Sequence, residues 1–254
     1  MDGIQQQQQQ QQKIIKIQSW FRGCMYRMKR LPLIMYIIQT YLKTKAITFS
    51  TQNEDGRINS CMDEDVVIQT LIETFGHNRI KKPNIRMWYD VLAWDSMYGW
   101  IPINIKTTTT KKKTSDNTGN LAMCVYAYTD EMLDLHATNT YSNGKMSAIL
   151  FNKLNDKKYN TRHKKDYYFL VLNKLDAKDI IVNSVKGLTI LTPNINNLPF
   201  QVCWDDNRTF RYQPIRKQIK RFVQSLQKPK PSWKETFMAN IRTLAFEKQE
   251  YTND

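Results

Sequence analysis

Met87-Trp-Tyr-Asp-Val-Leu-Ala-Trp-Asp95, Ser96-Met-Tyr-Gly99 and Trp100-Ile-Pro-Ile-Asn-Ile-Lys-Thr-Thr-Thr-Thr110 decide how the rest of this chain is read. Two apolar, aromatic-rich runs flank a short turn that closes on a glycine, which is the pattern of a β-hairpin. Asp90 sits on the first run, and Asn104 and Lys106 near the end of the second. Side chains alternate between faces along a strand, so Asn104 and Lys106 share one face. A carboxylate between Tyr89 and Val91 is costly to bury unless it is paired or metal-bound. The hairpin therefore predicts a polar site at a sheet edge, with Asp90 as carboxylate, Lys106 as ammonium and the Ile105 carbonyl as a neutral oxygen donor. Metal-assisted attack on a phosphodiester uses such a set. A hard cation takes one or two carboxylates plus water and phosphate, and a nearby cation stabilises the charge that develops on phosphorus.

Composition narrows the partners. The chain has 254 residues, 41% hydrophobic, enough for one sizeable α/β domain with short appendages. Its 38 Lys+Arg against 23 Asp+Glu give a formal charge of +15, a field that favours nucleic acid, or less often an anionic membrane surface. The 4 cysteines, at 24, 61, 124 and 203, form no C-x-x-C pair, which argues against a zinc site and for a reducing compartment. The chain begins on polyglutamine rather than a charged and then apolar leader, and the apolar run 31–42 is too short to span a bilayer. The expectation is a soluble protein of the cytoplasm or nucleus, in a eukaryotic or virus-infected cell, with no membrane partner.

The hairpin follows a segment, 56–76, with helical spacing of Val67, Leu71 and Phe75. Ser60 or Asp63 is the expected N-cap and Gly76 the expected C-cap. Glu64 would then lie in the first turn, either complementing the helix dipole or reaching the hairpin as a further metal carboxylate.

Together these residues resemble a family. Tyr89-Asp-Val-Leu92 followed by Ile103-Asn-Ile-Lys-Thr-Thr108 looks like the Asp…Asp-x-Lys core of the PD-(D/E)-x-K nucleases, nearest to type II restriction endonucleases. The order also resembles that family: helix with Glu, strand with Asp, turn, strand with x-Lys. The resemblance implies a restriction-endonuclease-like α/β fold, with a mixed central sheet flanked by helices and an N-terminal helical arm in front. It implies an endonuclease that cleaves double-stranded DNA with Mg²⁺, or with Mn²⁺, and often a homodimer. Carried over, Asp90 matches the metal-binding aspartate, Lys106 the motif lysine and Glu64 the acid of the preceding helix. Tyr89 replaces the proline. Asn104 replaces the second acid, where it would position metal or water as a neutral and weaker ligand. That replacement motivates a second reading, a DNA-binding module with a degenerate nuclease site.

The flanks carry the expected DNA contacts. Lys111, Lys112 and Lys113 leave the second strand as a basic loop. Asn117 and Asn120 precede a helix marked by Leu121, Val125 and Tyr128, where capping is an equally good use for them. Asn196, Asn197 and Gln201 lie in an Asn- and Pro-rich loop, suited to reading base edges or to forming turns. Further strands are expected at 166–173, 180–183 and 188–191, of the apolar kind found in parallel sheets. A basic amphipathic helix is expected at 214–227, and a final helix at 233–249 after a Pro-containing linker.

At the other end, residues 5–12 are all glutamine. Ile17, Gln18, Arg22, Gly23 and Arg27 resemble the IQ motif, with Arg30 where that motif has an apolar residue. This implies a calmodulin-like partner, and motivates a third reading as a partner-binding protein; packing on the chain's own domain is the alternative. The expected organisation is a polyglutamine tail at 1–12, the helical arm at 13–46, the nuclease-like domain at 52–227, and a linker and helix at 228–254.

Overall fold

A computed structural model of the chain describes residues 31–45, 47–49, 56–83, 87–110, 115–117, 120–136, 141–162, 164–194 and 199–226. The IQ-like segment, Lys111, Lys112, Lys113, Asn196, Asn197 and the expected helix at 233–249 lie outside the described residues. Helix α1 (Leu33–Lys45) and helix α2 (Gly56–Phe75) come first. The short strand β1 (Ile80–Lys81) follows, then the hairpin as β2 (Val91–Asp95) and β3 (Gly99–Thr108). After β4 (Ser115–Asn117) come helices α3 (Leu121–Tyr128) and α4 (Asn143–Asn155). Strands β5 (Tyr168–Asn173), β6 (Asp176–Ser184) and β7 (Gln201–Cys203) precede helix α5 (Ile215–Ser225).

The fold is α/β around a five-stranded mixed sheet in the order β1-β2-β3-β5-β6. Neighbours are antiparallel except β3 and β5, which run parallel from Ile103↔Tyr168 to Thr108↔Asn173. A parallel pair needs a crossover, and α3 and α4 lie within it. Strands β4 and β7 form a separate two-stranded ribbon.

Period-two patterning explains the layers. Val91, Ala93, Ile101, Ile103 and Ile105 point to one face and pack with Tyr168 and Leu170 under α1 and α2. Leu92, Phe169, Val171 and Ile181 point to the other, with α3, α4 and α5. β5 is covered on both sides, so its run Tyr-Phe-Leu-Val-Leu is apolar without alternation. All eight residues of α3 are buried, as suits a helix that is apolar all round.

Several boundaries differ from expectation. Helix α2 starts at Gly56, so Ser60, Asp63 and Glu64 lie beyond its first turn and neither Ser60 nor Asp63 is its N-cap. Gly76, at φ 78°, does end it, donating to the Ile72 carbonyl at 2.8 Å. Residues 188–191 form no strand, because Gly187 and Leu188 turn back onto Ser184, and the chain regains pairing only at Thr192. The 180–183 strand is longer than expected and antiparallel to β5. Helix α1, expected within the arm, covers the sheet: Ile34, Met35, Ile38 and Leu42 are buried, and Gln39 donates to the Ile180 carbonyl at 2.6 Å. No helix among the described residues is long and apolar enough to cross a membrane.

Asp95 links these parts. It is 3% exposed at the hairpin tip. One oxygen accepts from Met97 N at 2.8 Å and Tyr98 N at 3.0 Å, and the other from Ile34 N at 3.1 Å, in the first turn of α1. Gly99, at φ 72°, lets the turn close. Replacing Asp95 by Ala leaves three N–H groups without this acceptor. We expect a loss of about 2–4 kcal/mol in urea unfolding, with Asp95→Asn losing roughly half as much.

Candidate functional site

Strand β2 begins at Val91, opposite Ile103, while β3 runs on to Thr108. Beyond Ile103, the β2-facing edge of β3 has no strand partner among the described residues. Asp90 fills the first gap. Its N–H donates to the Ile103 carbonyl at 3.0 Å, and its Oδ2 accepts from Ile105 N at 2.7 Å. The N–H and C=O of one strand residue point to the same edge, so the Ile105 carbonyl opens beside this carboxylate.

Helix α2 closes the gap from the other side. Ser60 Oγ donates to the Thr107 carbonyl, and Thr107 Oγ1 donates to the Ser60 carbonyl, each at 3.4 Å. One turn on, Glu64 Oε1 lies 3.5 Å from Lys106 Nζ, in a partly buried ion pair. A second ion pair fixes the start of the helix: Lys174 Nζ is 3.1 Å from Asp63 Oδ2 and 3.1 Å from Ser60 Oγ. Lys174 also donates its N–H to the Thr108 carbonyl at 2.9 Å.

The structure thus brings Glu64, Asp90, Ile105 and Lys106 together. Burial pushes the Glu64 carboxyl above its ordinary pKa; the Lys106 ammonium opposes the shift and the Asp90 carboxylate adds to it. Burial also raises Asp90, opposed by Lys106 and by the Ile105 N–H. With both acids ionised, two carboxylates face one ammonium, a partly buried excess of negative charge that a divalent cation would offset.

Asn104 shares the Lys106 face and is 7% exposed, with its Oδ1 buried and without a hydrogen-bond partner. It lies beside Tyr167, whose hydroxyl donates to the Trp88 carbonyl at 2.9 Å. Among the described residues no cluster of three or more His, Cys, Asp or Glu side chains is placed to hold a metal ion. The available oxygen set is two carboxylates and a main-chain carbonyl. That fits a hard cation which keeps water and takes phosphate oxygens, and does not fit zinc.

Asp116 was not singled out from sequence. On β4, its Oδ1 accepts from Thr108 Oγ1 at 2.9 Å, and it sits beside the indole of Trp204. Thr108 shares a face with Lys106, and the Lys106 charge acts on Asp116, whose pKa burial raises. No local pattern marks it, because a three-residue strand leaves no periodicity.

The expected DNA contacts divide. Asn120 is the N-cap of α3, accepting from Met123 N at 3.1 Å, so its side-chain oxygen is committed to the helix. Asn117 and Gln201 are register partners on the β4–β7 ribbon. Gln201 also exchanges backbone hydrogen bonds with Thr192, at 2.8 and 2.9 Å. Comparison with protein-family models, with characterised proteins and with solved structures gave no match.

The two acids make a testable statement about stability. Each binds its proton more tightly in the folded than in the unfolded chain, so stability falls as pH rises through the folded-state titrations. Asp90→Asn keeps an oxygen for the Ile105 N–H and removes the buried charge. We expect it to raise stability at pH about 8 by about 0.5–2 kcal/mol in urea unfolding. The gain should fade as pH falls below about 4, where the carboxyls of the unfolded chain become protonated as well.

Proposed function

We propose that this chain is a metal-dependent endonuclease that hydrolyses phosphodiester bonds of double-stranded DNA, of the PD-(D/E)-x-K, restriction-endonuclease-like type. The observation that carries the reading is the meeting of Glu64, Asp90, the Ile105 carbonyl and Lys106 at the edge of β3 beyond Ile103. Support comes from the order of elements, a Glu-bearing helix before a hairpin whose second strand runs parallel to β5. The charge of +15 suits a polyanionic substrate.

Asp90, Glu64 and the Ile105 carbonyl would hold Mg²⁺, or Mn²⁺ in its place. The bound ion supplies Lewis-acid polarisation of the phosphate and a more acidic water. Lys106, held by Glu64, places a positive charge beside the phosphate oxygens, where negative charge grows as water attacks. Asp90 fixes the edge of β3 through Ile105 N, so ligand and scaffold are one residue. Asn104 contributes an amide where a carboxylate would add charge.

That amide favours a second reading, a DNA-binding module whose nuclease site has lost activity. A calmodulin-like partner, as a regulator or as the main partner, rests on residues outside those described. Incubation with supercoiled plasmid and Mg²⁺ or Mn²⁺ separates the readings. We expect nicked and linear product from the wild type, none from Asp90→Ala, and about 10²–10³-fold less from Lys106→Ala. Asn104→Asp should raise the rate at limiting metal. Intact DNA binding without cleavage would leave the binding module. Equal cleavage by Asp90→Ala would place the chemistry elsewhere, and no DNA affinity at low salt would leave a protein partner.

A further inference from the structure

We infer that the β1–β2–β3 edge of the sheet is a stacking platform for single-stranded nucleic acid, built on Trp94 and Trp100 and flanked by Arg79 and Lys81. The inference stands on its own geometry and does not depend on cleavage. Trp94 and Trp100 are opposite each other in the hairpin register, with ring centroids 5.4 Å apart and edge-on. Trp94 N donates to the Arg79 carbonyl at 2.8 Å, extending the β1–β2 ladder so that Arg79 lies opposite Trp94. Residues opposite one another in an antiparallel pair share a face, so Arg79, Trp94 and Trp100 form one row across three strands. Lys81 stands two residues along β1 on the same face, its Nζ 4.3 Å from the Trp100 ring centroid.

Trp100 is half-buried against the core, and the remainder of the row is exposed. Trp94 is 43% exposed and Met97, at the hairpin tip, 41%. Arg79 and Lys81 are exposed, and neither makes an ion pair among the described residues. Lys82 next to them does, with Asp65 at 2.7 Å. The His136 ring meets Trp100 edge-on at 6.3 Å. An exposed tryptophan beside two exposed cations matches a ligand with flat π-faces and regular negative charge. Unpaired bases on a phosphate chain have both, whereas an acidic peptide has only the charge. Bases stacked inside a duplex offer no free face, so along its length the fit is to a single strand. Trp94 lies four residues from Asp90 along the chain, roughly 13 Å at strand spacing, so one strand could occupy both places.

Binding of a fluorescein-labelled oligothymidylate of about 20 nucleotides, followed by anisotropy in EDTA, reads the platform whether or not the protein cleaves DNA. We expect Trp94→Ala to weaken binding about 5- to 100-fold with the salt dependence unchanged, and Trp94→Phe to keep most of the affinity. Arg79→Ala with Lys81→Ala should instead flatten the dependence of log K on log salt by about 0.7 per residue removed. Unfolding midpoints of the variants confirm that the exposed substitutions leave the fold intact. Wild-type protein that fails to bind at low salt overturns the inference, as does a Trp94→Ala variant that binds as tightly as wild type. Equal losses from Ala and Phe, or equal losses on a duplex, overturn it too, because stacking predicts neither.

Discussion

Strand β3 outruns its neighbour, and the polar backbone left along that edge must be satisfied by something other than a strand. In a sheet interior the next rung would come from β2. Here β2 starts too late, and side chains take its place: Asp90 for the Ile105 N–H, Ser60 for the Thr107 carbonyl. An unpaired buried N–H costs about 1–3 kcal/mol, so these substitutes are needed for the fold as such. They also gather a carboxylate, a hydroxyl and the start of α2 at one point. Glu64 and Lys106 meet there because the helix is held to the edge by the Ser60–Thr107 pair one turn away.

The same arrangement sets a conflict between stability and charge. Asp90 is useful to the ladder as a hydrogen-bond acceptor, which an amide would serve equally well. Ionised, it shares a partly buried space with Glu64, and burial raises both. Lys106 answers one negative charge of the two. Groups whose native environment disfavours their charged form are frequent where chemistry is done, and buried structural pairs shift in the same way. Away from this edge, too, burial shifts charged groups. Lys186 and Lys165 are pulled down to about 8 by burial, and each donates to main-chain carbonyls, Lys186 to Arg162 and Lys165 to Thr129 and Glu131.

The hairpin could be read because two runs of alternating faces bracket a turn with one glycine, and because an acid inside an apolar run is conspicuous. Glu64 could be named but not placed. Its role depends on where α2 begins, and the helix starts a turn earlier than the capping residues suggested. Ser60 and Asp63 looked like caps because their side chains favour helix starts; tertiary partners at Thr107 and Lys174 use them instead. Asp116 was illegible, since it is brought to Thr108 by a two-stranded ribbon whose members are far apart in sequence. The false strand at 188–191 shows the limit of apolar runs: the chain turns back onto Ser184 at Gly187, a position where any side chain would collide with Phe210 and Asn183.

The parallel pairing of β3 with β5 has a consequence in time. Asp90 and Ile105 are near neighbours in the chain and can meet as soon as the hairpin forms. Lys174 reaches back 114 residues to Ser60, and β5 arrives only after the whole α3–α4 crossover has been made. During synthesis the hairpin therefore leaves the ribosome with one edge of β3 bare and without the Lys174 contacts to α2. Loop closure of this length is slow relative to local folding. The Lys174 clamp on Ser60 and Asp63 is consequently closed only in a nearly finished chain, and fragments that stop before β5 carry Glu64, Asp90 and Lys106 without it.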